Sequence, residues 1–333
     1  MNDFLISFGV SLFLKALPMY ISEVNMMITP FFKELYKNRS LYLFALPAML
    51  LLFGFNYMPL FGLLIAFKNY TFDQGIFGSP WMDPFYHNFK FLFQSSQAFR
   101  ALRNTLLLNG LFILGGIVTQ VGFALMLNEI ARRRFKKLAQ SATFLPYFIS
   151  WIVVGVFTYV LFNSEHGLLN GLLTGLGMQP IDWYSSPHLW PIILTLIACW
   201  KTIGYGSVVY LATLSGIDAT YYEAAEIDGA SRWQQIVKIT LPLLRPTLIM
   251  LTLLALGRIM NADFGMFYAI IGDASLLYPT TDVIDTFVYR GLRVSGDIGM
   301  SSATGFIQSV LSFILVVGFN MIVRKMDRDS ALF

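Results

Sequence analysis

Charge is what this sequence has least of. Only 13% of its 333 residues are Asp, Glu, Lys or Arg, about half the roughly 25% that a soluble domain carries. That shortage excludes an ordinary water-soluble globule. A single cysteine, Cys199, lies inside an apolar run, so no internal disulfide can form. The three histidines, His87, His166 and His188, have neither metal-ligand spacing nor a paired acid, and no metal site is expected. The chain has no G-x-x-x-x-G-K-[ST] phosphate loop, no Ser/His/Asp constellation and no H-E-x-x-H helix. Nothing therefore nominates a catalytic residue, and the chain is not expected to be an enzyme. Uphill transport, if performed, must draw on a separate ATPase or an ion gradient. A net charge of +4 is too small to suggest nucleic acid. The start, MNDFLISFGVSLFLKALPMY, places its positive charge after the apolar stretch and lacks a small-residue cleavage site, so no cleaved signal is expected.

What the chain does have is apolar length: 56% of its residues are hydrophobic. A helix needs about 20 apolar residues to cross a hydrocarbon core of about 30 Å. Six stretches qualify, from Leu41 to Phe67, Leu102 to Leu127, Ser141 to Phe162, His188 to Leu214, Pro246 to Ile271 and Ala303 to Val323. None shows the alternation of a membrane barrel, so the spans are expected to be helices. Basic residues then set orientation. Lys33, Lys37 and Arg39 precede the first span. Arg132, Arg133, Arg134, Lys136 and Lys137 follow the second, Arg232, Lys238 and Arg245 follow the fourth, and Arg324, Lys325 and Arg328 follow the sixth. With six spans all four groups fall on one side, which the positive-inside tendency makes cytoplasmic. The outward exceptions are Lys68, Lys90, Arg100, Arg103, Arg290 and Arg293. The expected fold is all-α and integral to the membrane, with residues 41–333 as the spanning domain and both termini cytoplasmic. Residues 1–40 read as an interfacial amphipathic segment, an additional span being the alternative. The outer loop GIFGSPWMDPFYHN suits either a partner or the aromatic belt. The glycines of LNGLFILGGIVTQVGFAL in the second span read as sites of close helix packing.

One segment, 215–245, is at odds with lipid. Its core, YYEAAEIDGASRWQQIVKITLPLLRP, is charged and helix-prone. Asp218 is expected to cap a short helix containing Glu223, Ala224 and Ala225. Asp228-Gly229-Ala230 breaks it, glycine taking a positive φ. Ser231 with Gln234 has capping-box spacing and starts a second helix, expected to end at Leu241-Pro242, with Pro246 opening the fifth span.

The spacing EAA-x3-G-x9-I-x-LP, met by Glu223, Ala224, Ala225, Gly229, Ile239, Leu241 and Pro242, resembles the EAA motif of permease subunits of binding-protein-dependent ABC importers. The six-span core from Leu41 onward is similar to a type I importer permease of the maltose-permease kind. The segments ALPAMLLLFGFNYMPLFGLLIAFKNY and GRIMNADFGMFYAIIGDASLLYPTTDVIDTFVYRGL resemble the branch handling complex oligosaccharides and polysaccharide fragments, including alginate. That resemblance implies a carbohydrate importer in the inner membrane of a bacterium. It also implies three kinds of partner: a second homologous permease, a dimer of ATP-binding subunits and an extracytoplasmic solute-binding protein. ATP and Mg would be used by the ATPase, with no cofactor on this chain. Glu223 would pair with a basic group of the ATPase and Ala224 and Ala225 would permit close approach. Asp228 and Gly229 would set the turn. Alternatives are an ABC permease for a non-sugar solute and an ion-gradient-driven secondary transporter.

Polar residues within spans face a cavity or a partner, because a charge at the centre of the bilayer costs about 2.5–3.5 kcal/mol. Lys201 and Tyr205 lie in the fourth expected span, and Arg258, Asn261, Asp263 and Tyr268 in the fifth. Arg258, Asn261, Gly265 and Tyr268 would share one helical face. Such groups beside aromatic rings suit a sugar, and two basic residues suit an acidic one. Pairing of Arg258 or Lys201 with Asp263, or contact with the partner permease, would explain the same residues. Trp200 and Tyr205 are weaker candidates, because aromatic residues in spans more often simply pack.

Overall fold

The computed structural model describes residue 34 and residues 36–326. The expected interfacial segment falls almost wholly outside these residues, as does Arg328. The described residues fall into two compact units, divided between Gly62 and Leu63.

In the first unit, helix α1 (Arg39–Leu52) is built from leucine, methionine, alanine and aromatic residues and leads into a π-helical turn, Phe53–Tyr57. None of its side chains is buried within the protein. A helix apolar all round is suited to lipid.

In the second unit a helical turn, Gly75–Gly78, precedes a short helix, α2 (His87–Gln94), which is followed at once by α3 (Ser96–Asn128). The Ser95 hydroxyl caps α3, accepting from the Ala98 N–H at 3.3 Å. Helices α4 (Arg133–Phe148), α5 (Trp151–Phe162) and α6 (Leu168–Gly175) precede the long α7 (Trp190–Ser215). Next come α8 (Thr220–Ile227), the continuous helix α9 (Arg232–Leu256) and α10 (Phe264–Ile270). The unit closes with α11 (Ile284–Arg290) and α12 (Ile298–Met326). No strand occurs among the described residues.

Five stretches are long and apolar enough to cross a membrane, Arg39–Phe67, Ser96–Asn128, Pro187–Ser215, Arg232–Leu256 and Ile298–Lys325. The pair α4 and α5 makes a sixth, with a bend of 96° at residues 149–150. The third expected span is therefore two helices. Pro146, in the last turn of α4, lacks an N–H, and Ser150 restarts the chain as an N-cap whose hydroxyl accepts from Val153 N at 3.4 Å. The fifth expected span also needs correction: its helix stops at Leu256, and residues 257–263 form a non-helical strap before α10. At its other end it begins at Arg232, not Pro246, running through both Pro242 and Pro246. A π-helical turn, Ile236–Thr240, with the Leu241 N–H on the Ile236 carbonyl, absorbs the register change just before Pro242.

The main contact is α3 along α7, with α4 on the opposite flank of α7. Four apolar clusters fill the unit, the smallest being Ala66, Phe89 and Ala303. One gathers Leu108, Trp190, Leu194, Met266 and Phe267; a second Val121, Leu127, Tyr210 and Leu244; a third Ala101, Met260 and Phe287. Among the second-span glycines, close packing holds at Gly115, where a Cβ would sit 2.9 Å from the Cys199 sulfur. Gly110 and Gly122 have nothing within 4 Å of that point. The tighter approach is at Gly204 of α7, where a Cβ would lie 2.1 Å from the Thr143 carbonyl oxygen of α4. Backbone cannot yield there as a side chain would. Gly204→Ala should therefore lower stability by about 1–3 kcal/mol, read as a lower melting temperature in detergent. Gly110→Ala, into open space, should leave it unchanged.

Candidate functional site

Two features stand out, a polar cavity between the helices and the exposed loop around α8. The cavity, of about 660 Å³, lies among α3, the α4–α5 break, α7, α9 and the strap 257–263. Tyr205, Arg258, Asn261 and Asp263 all line it, together with Asn109, Gln120, Tyr147 and Trp151. Tyr147 stacks on Tyr205 with ring centres 4.3 Å apart and planes at 5°. Two of the nominated residues are elsewhere. Tyr268 faces a smaller pocket beyond α10, and Lys201 is buried behind the cavity wall. Trp200 faces an apolar groove of about 530 Å³ formed by α5, α6 and α7. That groove is lined by hydrocarbon, with Thr158 as its only hydroxyl-bearing residue.

The Lys201 ammonium donates to the carbonyls of Pro146 (3.1 Å), Tyr147 (3.0 Å) and Ile149. The 96° break leaves the Tyr147 and Ile149 carbonyls without helical partners, while that of Pro146 also accepts from the Ile149 N–H at 3.2 Å. A cation at a helix C-terminus also meets the favourable end of its dipole. Lys201 lies over the Trp151 ring at 5.0 Å as well. It serves the bend, and neither it nor Arg258 forms an ion pair with Asp263. Asp263 has other work. Its Oδ1 caps α10 by accepting from Met266 N at 3.2 Å, while its Oδ2 accepts from Trp151 Nε1 at 2.6 Å. Among the described residues the Arg258 guanidinium has no side-chain hydrogen bond or ion pair, and it is exposed at the cavity.

The expected shared helical face of Arg258, Asn261, Gly265 and Tyr268 does not exist, because the helix ends before it. What holds the strap is a set of polar side chains that sequence reasoning missed. Asn109 Nδ2 of α3 donates to the Ile259 carbonyl at 2.7 Å, and Gln308 Nε2 of α12 donates to that of Met260 at 2.7 Å. Asp285 Oδ2 of α11 accepts from Ala262 N at 2.9 Å. Burial raises the Asp285 carboxyl above its ordinary range, against the opposing pull of the Ala262 N–H and Gln308. The available signal was an amide inside each of two apolar spans, a placement that is costly unless used.

The loop is legible residue by residue. Helix α8 starts at Thr220 with Ala219 as its N-cap, one residue later than expected. Asp218 accepts from the Thr220 N–H at 2.9 Å instead, a contact that lowers its carboxyl below the usual range. At the far end, Ala230 N donates to Ala225 O (2.8 Å) and Gly229 N to Glu226 O (3.0 Å). This 6→1 and 5→2 pair is a Schellman closure, and Gly229 supplies it with φ +74°. Ser231 and Gln234 form the expected capping box. Glu226 pairs with Arg232 at 3.0 Å, both partners largely in solvent. Tyr222 Oη and Thr240 Oγ1 lie 3.0 Å apart and join α8 to α9. Glu223, Ala224, Asp228 and Gly229 are exposed, Ala225 half-buried. The apolar side chains of Tyr221, Ile227 and Trp233 are exposed around them. Ile239, Leu241 and Pro242 belong to α9, with Leu241 packed on the second apolar cluster.

Removing the Lys201 ammonium tests the role of the bend. Lys201→Met should cost about 2–3 kcal/mol, because it leaves acceptors unpaired in an apolar interior. The measurement is thermal unfolding in detergent, with no loss expected for the more exposed Trp200→Leu.

The chain matches the family model described as binding-protein-dependent transport system inner membrane component over residues 105–328. It is 35% identical to protein LplB of Bacillus subtilis over 294 residues, covering 88% of this chain and 91% of that one. It is 30% identical to the polygalacturonan/rhamnogalacturonan transport system permease protein YteP of the same organism, over 89% and 91%. In structure it is similar to a chain of the crystal structure of a bacterial alginate ABC transporter in complex with an alginate pentasaccharide-bound periplasmic protein. The TM-score is 0.79 at 32% identity, covering 88% of this chain and 97% of that one. The chain therefore belongs to the family of inner membrane components of binding-protein-dependent transport systems.

Proposed function

We propose that this chain is the transmembrane permease half of an ATP-driven carbohydrate importer, coupled to its ATPase through the loop around α8. The observation that carries this reading is continuity. The loop's second helix does not end at the membrane but runs unbroken from Arg232 to Leu256, where the strap lining the cavity begins. A push on Glu223, Ala224 and Ala225 thus has a rigid route to Arg258, Asn261 and Asp263. The exposed Tyr221, Ile227 and Trp233 give an ATP-binding subunit an apolar surface to grip. ATP and Mg belong to that partner dimer. A second permease completes the pathway, and an extracytoplasmic binding protein delivers the solute.

The carbohydrate class is supported from two directions. Stacked Tyr147 and Tyr205 beside Trp151 offer ring faces, while Arg258, Asn261 and Asp263 offer donors and acceptors at one wall. A pyranose needs both, one for its C–H face and one for its hydroxyls. Relatives named for trehalose/maltose and for polygalacturonan/rhamnogalacturonan transport agree with that chemistry. Both termini are assigned to the cytoplasm. Three outward cations that run against the charge rule are tied into local structure: Lys68 on the Phe77 carbonyl, Arg103 on that of Pro279, Arg290 on Asp282.

In proteoliposomes holding the complete importer, Glu223→Lys and Gly229→Pro should each reduce ATP-dependent uptake by about tenfold or more. Both chains should still insert and hold their partner permease. Proline cannot adopt the positive φ of residue 229, and lysine reverses the charge offered to the ATPase. Uptake at the wild-type rate in both variants, or uptake driven by a proton gradient without ATP, would overturn the reading.

A further inference from the structure

Beyond α10 lies a second polar concavity, which the coupling reading does not use. It has a volume of about 300 Å³, at the lower end of the roughly 300–1,000 Å³ of small-molecule sites. Helix α10 separates it from the main cavity: Asp263 and Met266 face the cavity, Tyr268 the pocket. One wall is aromatic. Tyr268 stacks on Phe264 at 5.2 Å, and Tyr289 meets Tyr268 edge-on at 5.4 Å. The other walls carry charge.

The charges differ in kind. Arg290 is fully engaged: it donates twice to the buried Asp282 (2.9 and 2.6 Å), and its guanidinium lies 4.2 Å from the Tyr278 ring centre. That pair is part of the wall. Arg293 and Asp273 are the reverse. Both line the pocket and both are exposed. Among the described residues neither has an ion pair or a side-chain hydrogen bond, although they carry opposite charge within one small concavity. Opposite charges held apart across a pocket leave room for a ligand with a negative group at one end and donors at the other. A uronate residue is such a ligand: its carboxylate suits the guanidinium fork, its hydroxyls suit Asp273, and its C–H face suits Tyr268 and Tyr289.

We propose that this pocket is a station for a uronate residue of an acidic oligosaccharide, separated from the main cavity by α10 alone. The inference rests on the carbohydrate reading above and adds charge selectivity to it. In the orientation assigned there, Arg293 lies just before the sixth span on its outer side, so the station stands on the extracytoplasmic side of the path.

The test uses the complete importer in proteoliposomes of neutral lipid, with initial uptake rates measured for oligogalacturonate trimer and for uncharged maltotriose. Arg293→Gln should lower the ratio of kcat/KM for the acidic over the neutral trisaccharide about tenfold, chiefly through KM. Arg293→Lys should restore part of it. Tyr289→Ala should raise KM for the acidic trisaccharide and Tyr289→Phe, which keeps the ring, should not. Because Arg293 is exposed and among the described residues makes no side-chain hydrogen bond or ion pair, its replacement does not endanger folding. An unchanged ratio in Arg293→Gln overturns the station while leaving the carbohydrate reading standing, as does a wild-type importer that takes up maltotriose alone. Uptake of neither sugar by the wild type overturns both. A defect that appears only when anionic phospholipid is added assigns the pocket to a lipid headgroup and also overturns the proposal.

Discussion

Backbone that leaves the helical pattern in an apolar medium must find its hydrogen bonds elsewhere, and this constraint organises the second unit. Water is not there to satisfy an orphaned carbonyl, and each unpaired group is costly. The chain breaks its helices twice at such places. At residues 149–150 the carbonyls freed by the bend are taken by the ammonium of Lys201. At residues 257–263 the freed groups are taken by Asn109, Gln308 and Asp285, one from each of three surrounding helices. The polar side chains in these spans are thus largely structural, and they free a different set to face the cavity. Arg258 and Asn261 reach it because the helix has already stopped.

How much of this was legible follows from where the partners lie in the sequence. Six apolar stretches, the side of the basic residues and the loop's turn all depend on near neighbours. Gly229 closes contacts with residues three to five positions away, so its role is written locally. Lys201 is more than fifty positions from the carbonyls it holds, and Asn109 is 150 from Ile259. No periodicity within one helix exposes such a contact, which is why the third and fifth spans read as unbroken. The same distance explains the mistaken helical face: Arg258 and Tyr268 have helical spacing, but the strap between them has no helix to carry it. The two prolines of α9 misled for a local reason, since a π-helical turn placed before Pro242 let the helix continue where proline ordinarily ends one.

The two polar concavities share a helix and divide its faces. Asp263 begins α10 on the cavity side and also accepts from Trp151, so the position of α10 is set by the α4–α5 break as well as by the strap. The bend held by Lys201, the strap held by α3, α11 and α12, and the pocket bordered by Tyr268 and Tyr289 are therefore mechanically one assembly around α10. A disturbance at any of the three is felt as a shift of the same seven-residue helix.

Helix α9 runs for 25 residues, close to 37 Å at about 1.5 Å per residue. A rod keeps the separation of its ends, so whatever displaces Ser231 arrives at Gly257 as rigid tilt or translation. Only its last turns reach the cavity, through Leu251, Thr252 and Ala255. The stroke and the cargo are thus set largely in different places, one by the length of a rod and the other by side chains around and beyond its inner end. Evolution can rewrite the residues past Leu256 to accept another molecule while the machinery that delivers the stroke stays as it is.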